Sequence, residues 1–261
     1  MTTTDAVTRP ALNRVPEVTV FFWIIKVLCT TVGESAADYI NETLGFGLGN
    51  TTVLFGVLLV LSLVLQFRQR RYVPGPYWTV VVLISVFGTL VTDNLTDGLG
   101  VDLAISTPVF AALLAIAFAV WYRSERTLSI HAVNTTRRET FYWVVVAITF
   151  ALGTAAGDLL VDRLGFSFLT AVVVYAVAIA AVFVAYRLGA GPVLTFWVGY
   201  VLTRPLGGST GDWLSGDRSE GGLGLGTLGT SLLFLAAIVG TVVYLTVTRV
   251  DQTERRLART T

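Results

Sequence analysis

Four aspartates stand in register along an otherwise oily chain. Asp38, Asp93, Asp158 and Asp212 each follow a tryptophan (Trp23, Trp78, Trp143, Trp197) by fifteen residues, and the residue before each is small: Ala37, Thr92, Gly157, Gly211. A second acid follows four residues later at Glu42, Asp97 and Asp162, and five later at Asp217. Hydroxyls lie close by, among them Thr30, Thr31, Ser35, Thr89, Thr92, Thr154, Ser209 and Thr210. Carboxylates with hydroxyl or water oxygens suit hard cations such as Mg²⁺, Mn²⁺ or Ca²⁺. Inside a membrane, carboxylates also serve as proton relays.

Three further charges occur once each within the same apolar runs. Glu34 precedes Asp38 by four residues, where the other copies have Thr89, Thr154 and Gly208; Lys26 and Arg204 have no charged counterparts. Glu34 reads as a residue that tunes the aspartates, and Lys26 or Arg204 as an internal counter-ion. Five carboxylates against two cations leave a net charge of −3 if all are ionised. Protons or a bound hard cation would neutralise the excess.

Other chemistries find no support in the sequence. With one histidine, His131, and one cysteine, Cys29, there is no soft-metal cluster, no disulfide framework and no Ser/His/Asp set. His131 lies in a polar connection and reads as a solvated residue; Cys29 reads as a small apolar filler. The glycine run GGLGLGTLG lacks the lysine of a phosphate-binding loop. No basic stripe points to nucleic acid, and the chain is not expected to be an enzyme or to hold an organic cofactor.

These residues need helices to place them. Of 261 residues 54% are hydrophobic and 13% charged, about half the charge of a globular protein. Apolar windows near 18–40, 50–67, 77–96, 104–122, 141–161, 166–186, 193–214 and 227–248 each suit one membrane-spanning helix. The expected fold is therefore an all-α integral membrane protein with eight transmembrane helices. Residues 1–17 read as a soluble tail, 18–248 as the membrane domain and 249–261 as a basic tail. Of the 18 Lys and Arg residues, fourteen fall in the tails and the connections after even-numbered spans, against Arg163 and Arg218 after odd ones. The positive-inside rule then puts both termini in the cytoplasm.

Aligning the four tryptophans also aligns Gly33, Gly88, Gly153 and Gly207 ten residues on. The pattern recurs at separations of about 55 to 65 residues, giving repeats near 18–72, 73–136, 137–191 and 192–248. Each repeat reads as one two-helix hairpin. An even number of spans per unit keeps all four parallel, around an axis along the membrane normal. The glycines, with Gly157 and Gly211 among the small residues four further on, form a face for close helix packing. The tryptophans read as interfacial anchors. Fifteen residues of helix rise about 22 Å, so each Asp falls in the outer third of the membrane, away from the lipid if the glycine face meets a neighbour.

The stretches KVLCTTVGESAAD, GTLVTDNLTDGLG, WYRSERTLSIH, LGTAAGDLL, YVLTRPLGGSTGD and YLTVTRVD resemble a family of bacterial inner-membrane proteins of uncharacterised function, built from four tandem two-span repeats each with a marked Trp. The resemblance covers residues 14 to 251. It implies the eight-span fold and a place in the bacterial inner membrane, and brings no activity with it. From the residues themselves, the expected function is a transporter or permease for cations, a divalent metal or protons in exchange. The alternatives are a proton-coupled permease for a small organic solute contacting Lys26 and Arg204, and a non-transporting scaffold or sensor. The partners expected are the lipid bilayer and the transported species.

Overall fold

The computed structural model describes residues 12–252. Among them there are eight long helices and no strand: α1 (Val20–Asp38), α2 (Leu48–Phe67), α3 (Pro74–Asp93), α4 (Leu103–Glu125), α5 (Thr136–Asp158), α6 (Phe168–Arg187), α7 (Pro192–Ser215) and α8 (Gly226–Thr248). Local chemistry marks their starts. Thr19, Asp102, Thr135 and Ser167 accept backbone N–H groups of the first turn, while α3 and α7 open on Pro74 and Pro192, where a missing N–H costs nothing.

Seven of the helices are long and apolar enough to cross a membrane. The exception is α7, whose 24 residues would suffice in length. Its second half, TRPLGGSTGD, dilutes the apolar residues, and this helix faces protein on several sides instead of lipid.

The odd-numbered helices form a closed ring in the order α1, α3, α5, α7 and back to α1. The glycine column makes the close approach possible. A Cβ on Gly88 would lie 2.8 Å from the Cβ of Phe150, and side chains on Gly33, Gly153 and Gly207 would overlap Ser85, the Arg204 stem and Thr30. In every case the glycine meets the residue that follows the next helix's tryptophan by seven. Gly157 packs against Pro205, and Gly211 lies against the backbone oxygen of Thr31. Each even-numbered helix packs chiefly on the first helix of the following repeat: α2 on α3, α4 on α5, α6 on α7, and α8 returns to α1. The repeat in the sequence is thus not a self-contained hairpin in space. The buried stripe Thr51, Phe55, Leu59, Ser62 and Gln66 of α2 finds its complement across the following connection.

One end of the ring is closed by aromatic rings. The residue before each tryptophan touches the tryptophan of the next helix: Phe22 on Trp78, Tyr77 on Trp143, Tyr142 on Trp197 and Phe196 on Trp23, with centroids 5.3–6.1 Å apart. This cyclic contact brings the four helix starts to one end, so the ring helices run parallel. It also differs from the expected anchoring. Trp78, Trp143 and Trp197 are buried inside the protein, because each indole is needed to fill the space between neighbouring helix starts. The Trp78 indole N–H donates to Tyr72 Oη and that of Trp197 to the Leu128 carbonyl.

Chain segments lace over this aromatic end. Arg14 N–H donates to the Val133 carbonyl, Glu17 N–H to Asp251 and Tyr72 N–H to Asn13. Arg14 also pairs with the buried Glu139 at 2.7 Å, which accepts a second bond from Gln66. Residues 13, 15 and 17 are buried, so this stretch of the expected soluble tail is part of the packed structure. Asp251, expected in the basic tail, is buried as well. Residues 1–11 and 253–261 of the two tails, with Arg9, Arg255, Arg256 and Arg259, lie outside the described residues.

Candidate functional site

The far end of the ring carries the acids. Asp38, Asp93 and Asp158 are each the last residue of their α-helix, and a π-helical turn follows: Tyr39–Thr43, Asn94–Gly98, Leu159–Arg163. Such turns widen the helix and free backbone groups, and they concentrate at functional sites. Here they coincide with the aspartate column. The fourth copy is different: α7 continues past Asp212 to Ser215 without a π turn.

Parallel helices in register bring the column together. Carboxylate oxygens of Glu34, Asp38 and Asp212 lie within 4.8 Å of one another. Asp93 and Asp158 are close enough to Glu34 and Asp38 to feel their charge. All four aspartates are partly exposed, and among the described residues none of their carboxylates is hydrogen-bonded or ion-paired. With Glu34 they make the mouth of the ring acidic, an acidic vestibule in that sense only. The second acids, Glu42, Asp97, Asp162 and Asp217, are exposed around its rim.

One turn deeper, Arg204 fills the axis of the ring. One amino group of its guanidinium donates to Glu34 Oε2 at 2.8 Å, to Thr154 Oγ1 at 2.7 Å and to Thr89 Oγ1; the other donates to the Thr30 carbonyl at 3.1 Å. Glu34, Thr89, Thr154 and Gly208 are the four residues that follow the tryptophans by eleven, so a complete column surrounds one side chain. Gly208 leaves room for this pair. A Cβ there would stand 3.2 Å from the guanidinium and 3.4 Å from Glu34.

Lys26 lies deeper still, twelve residues or about 18 Å of helix rise below Asp38. It is fully buried, with Nζ 3.9 Å from the centroid of Phe150 and 4.3 Å from that of Tyr200. No hydrogen-bond partner reaches that nitrogen. Of the two expected counter-ions, Arg204 pairs with a carboxylate, and Lys26 lies over two rings with no hydrogen-bond acceptor among the described residues.

The hydroxyls have other employment. Thr31, Ser35, Thr92 and Thr210 donate to backbone carbonyls, and Thr89 and Thr154 accept from Arg204. His131 is exposed, its Nδ1 3.3 Å from a Glu17 carboxylate oxygen, and stands at the opposite end from the acids. Cys29 is buried and free.

The family described as Repeat of Unknown Function (DUF347) matches the chain four times, over residues 21–72, 76–127, 141–189 and 195–251. The chain belongs to that family. Each DUF347 repeat here contributes one ring helix with its Trp, Gly and Asp, plus the outer helix that packs on the next repeat. No curated protein and no solved structure matches the chain.

Proposed function

We propose that this multi-pass membrane protein is a permease that binds a hard divalent cation in the acidic vestibule. The observation that carries the reading is the convergence of Glu34, Asp38 and Asp212 within 4.8 Å. Ligand oxygens bound at about 2.1–2.4 Å to one ion lie at most about 4.8 Å apart, so the three can share an ion with little movement. Electrostatics favours it too. Two carboxylates at about 4 Å repel by roughly 4 kcal/mol at an effective dielectric of 20, and five carboxylates here face one guanidinium. Asp93 and Asp158 complete a wall that draws cations in, and Arg204 stands below as the barrier a passing ion must displace. In this reading the four DUF347 repeats surround an axis along the membrane normal in a bacterial inner membrane, the aromatic end and both termini face the cytoplasm, and catalysis is not part of the role.

Flux into vesicles holding a Mn²⁺-quenched dye tests the proposal. The wild-type chain should carry Mn²⁺, and Asp38→Asn or Asp212→Asn should slow entry at least tenfold. No flux, together with no Mn²⁺ binding by calorimetry, would remove it. One observation favours a second reading, the permease for a small organic anion: the Lys26 nitrogen has no acceptor, and a substrate carboxylate would supply one. Lys26→Met separates the two, since it abolishes transport only in the second.

A further inference from the structure

The outer helices of the first two repeats bury a stripe that the third leaves open. Phe55, Leu59 and Gln66 of α2 and the aligned Phe110, Leu114 and Trp121 of α4 are buried. Their counterparts in α6, Tyr175, Ile179 and Tyr186, are not, and Tyr186 is 50% exposed. The start of α6 is held against the ring, with Ala171 buried and Tyr175 Oη donating to the Ala156 carbonyl at 2.8 Å. Beyond it, a groove of about 710 Å³ opens between α6, α7 and the start of α1. Its walls include Ile179, Ala180 and Phe183 of α6, Phe196 and Gly199 of α7, and Trp23. Trp23 is accordingly only partly covered, where Trp78, Trp143 and Trp197 are buried.

The groove has a polar end. Glu17, Ser129 and His131 line it where α1 and α7 begin and α6 ends, with the Glu17 and His131 side chains in contact at 3.3 Å. A site of this volume, apolar along its length with a few polar groups at one end, suits a ligand of the same make-up. We propose that it holds a phospholipid: one acyl chain lies along the α6 and α7 wall against the Trp23 indole, and a headgroup of ammonium and phosphate meets Glu17 and His131. The polar groups are complementary. Ammonium faces the carboxylate, phosphate faces the imidazole and the Ser129 hydroxyl, and the rim lies at helix ends, where headgroups sit in a bilayer. The inference rests on the chain spanning a membrane and is independent of the acidic vestibule.

Native mass spectrometry of the full chain, released from vesicles of phosphatidylethanolamine and phosphatidylglycerol into mild detergent, tests it. The wild type should retain one phospholipid, with phosphatidylethanolamine at least fivefold over phosphatidylglycerol. Ala180→Trp, which fills the groove, should lose it, and Glu17→Gln should keep a lipid but lose the preference. In vesicles of phosphatidylethanolamine with brominated acyl chains, wild-type tryptophan emission should be quenched and Trp23→Phe should lose most of that quenching. These last two readouts stand whether or not Ala180→Trp folds. A chain that retains no lipid, quenching unchanged in Trp23→Phe, or an Ala180→Cys variant that cross-links two copies face to face through the groove would each overturn the proposal.

Discussion

Arg204 is the charge on which the interior depends most. Its guanidinium is 1% exposed at the side chain, against 11% for Glu34, and it bonds to helices α1, α3 and α5 from α7. Removing one partner of such a pair leaves a buried charge unanswered, at a cost of about 3–5 kcal/mol, whereas replacing both costs far less. Glu34→Gln and Arg204→Met should therefore each lower the melting temperature in detergent sharply, and the double variant should melt above the sum of the two losses. A strictly additive double variant would show that the pair does not couple. Lys26 predicts the reverse. Its buried amine has rings for neighbours and no acceptor, and a cation over rings gains about 2 kcal/mol at best when desolvated, so Lys26→Met should melt no lower than the wild type. The aspartate column was legible because spacing alone reveals it. The Arg204 network was not. Its position aligns with Thr30, Ser85 and Phe150, residues that simply pack on a neighbour's glycine, and only the length of an arginine side chain carries its charge up to the level of Glu34.

The helices themselves were read from apolar length, and their close packing from glycine spacing, because both are local properties of one segment. Partner choice is not local. A tandem repeat that closes into a ring has no natural first residue, so the sequence does not say whether α2 belongs with α1 or with α3; the buried stripe of α2 decides it. The π turns after Asp38, Asp93 and Asp158 were equally hidden, since what changes is the hydrogen-bond register and the segments YINET, NLTDG and LLVDR share no composition that marks it. The glycine seam gives the sharpest prediction for the elements. Gly88→Ala places a methyl 2.8 Å from the Phe150 Cβ with backbone on both sides, and should lower the melting temperature. Gly240→Ala, in α8 with nothing within 4 Å, should hold or raise it by the helix preference of alanine, about 0.5–1 kcal/mol. Equal effects at the two positions, measured by thermal denaturation in the same detergent, would argue against close packing as the reason for the column.

Across the whole molecule the two ends differ: the acids stand partly exposed at one, while the aromatic end is stitched shut by segments distant in sequence. Asp251 holds that closure. Its carboxylate accepts from Tyr72 Oη at 2.6 Å, Tyr72 in turn accepts from the Trp78 indole, and the Asp251 carbonyl receives the Glu17 N–H. Burial pushes the Asp251 carboxyl above the usual range, more than the Tyr72 bond pulls it down. Burial, then the Asp251 charge, pushes the Tyr72 phenol up as well, so it remains a donor. An acid whose pKa is raised on folding binds its proton more tightly in the folded state. Its contribution is then fully present below the ordinary aspartate value of about 3.9 and is lost as pH rises through the raised one. The closure should therefore loosen across that window on the alkaline side of 3.9, seen as falling protection of the amides of residues 13–17 and 249–252 relative to their intrinsic exchange rates. Asp251→Asn, which is neutral throughout and can still accept from Tyr72, should keep its protection across that window. Exchange in the wild type that tracks the variant at every pH would show that the closure is held by its backbone bonds and not by Asp251. Under the proposed function, an ion leaving the acids along the ring axis would pass the aromatic layer beneath the Asp251 closure, so the same window would affect its passage.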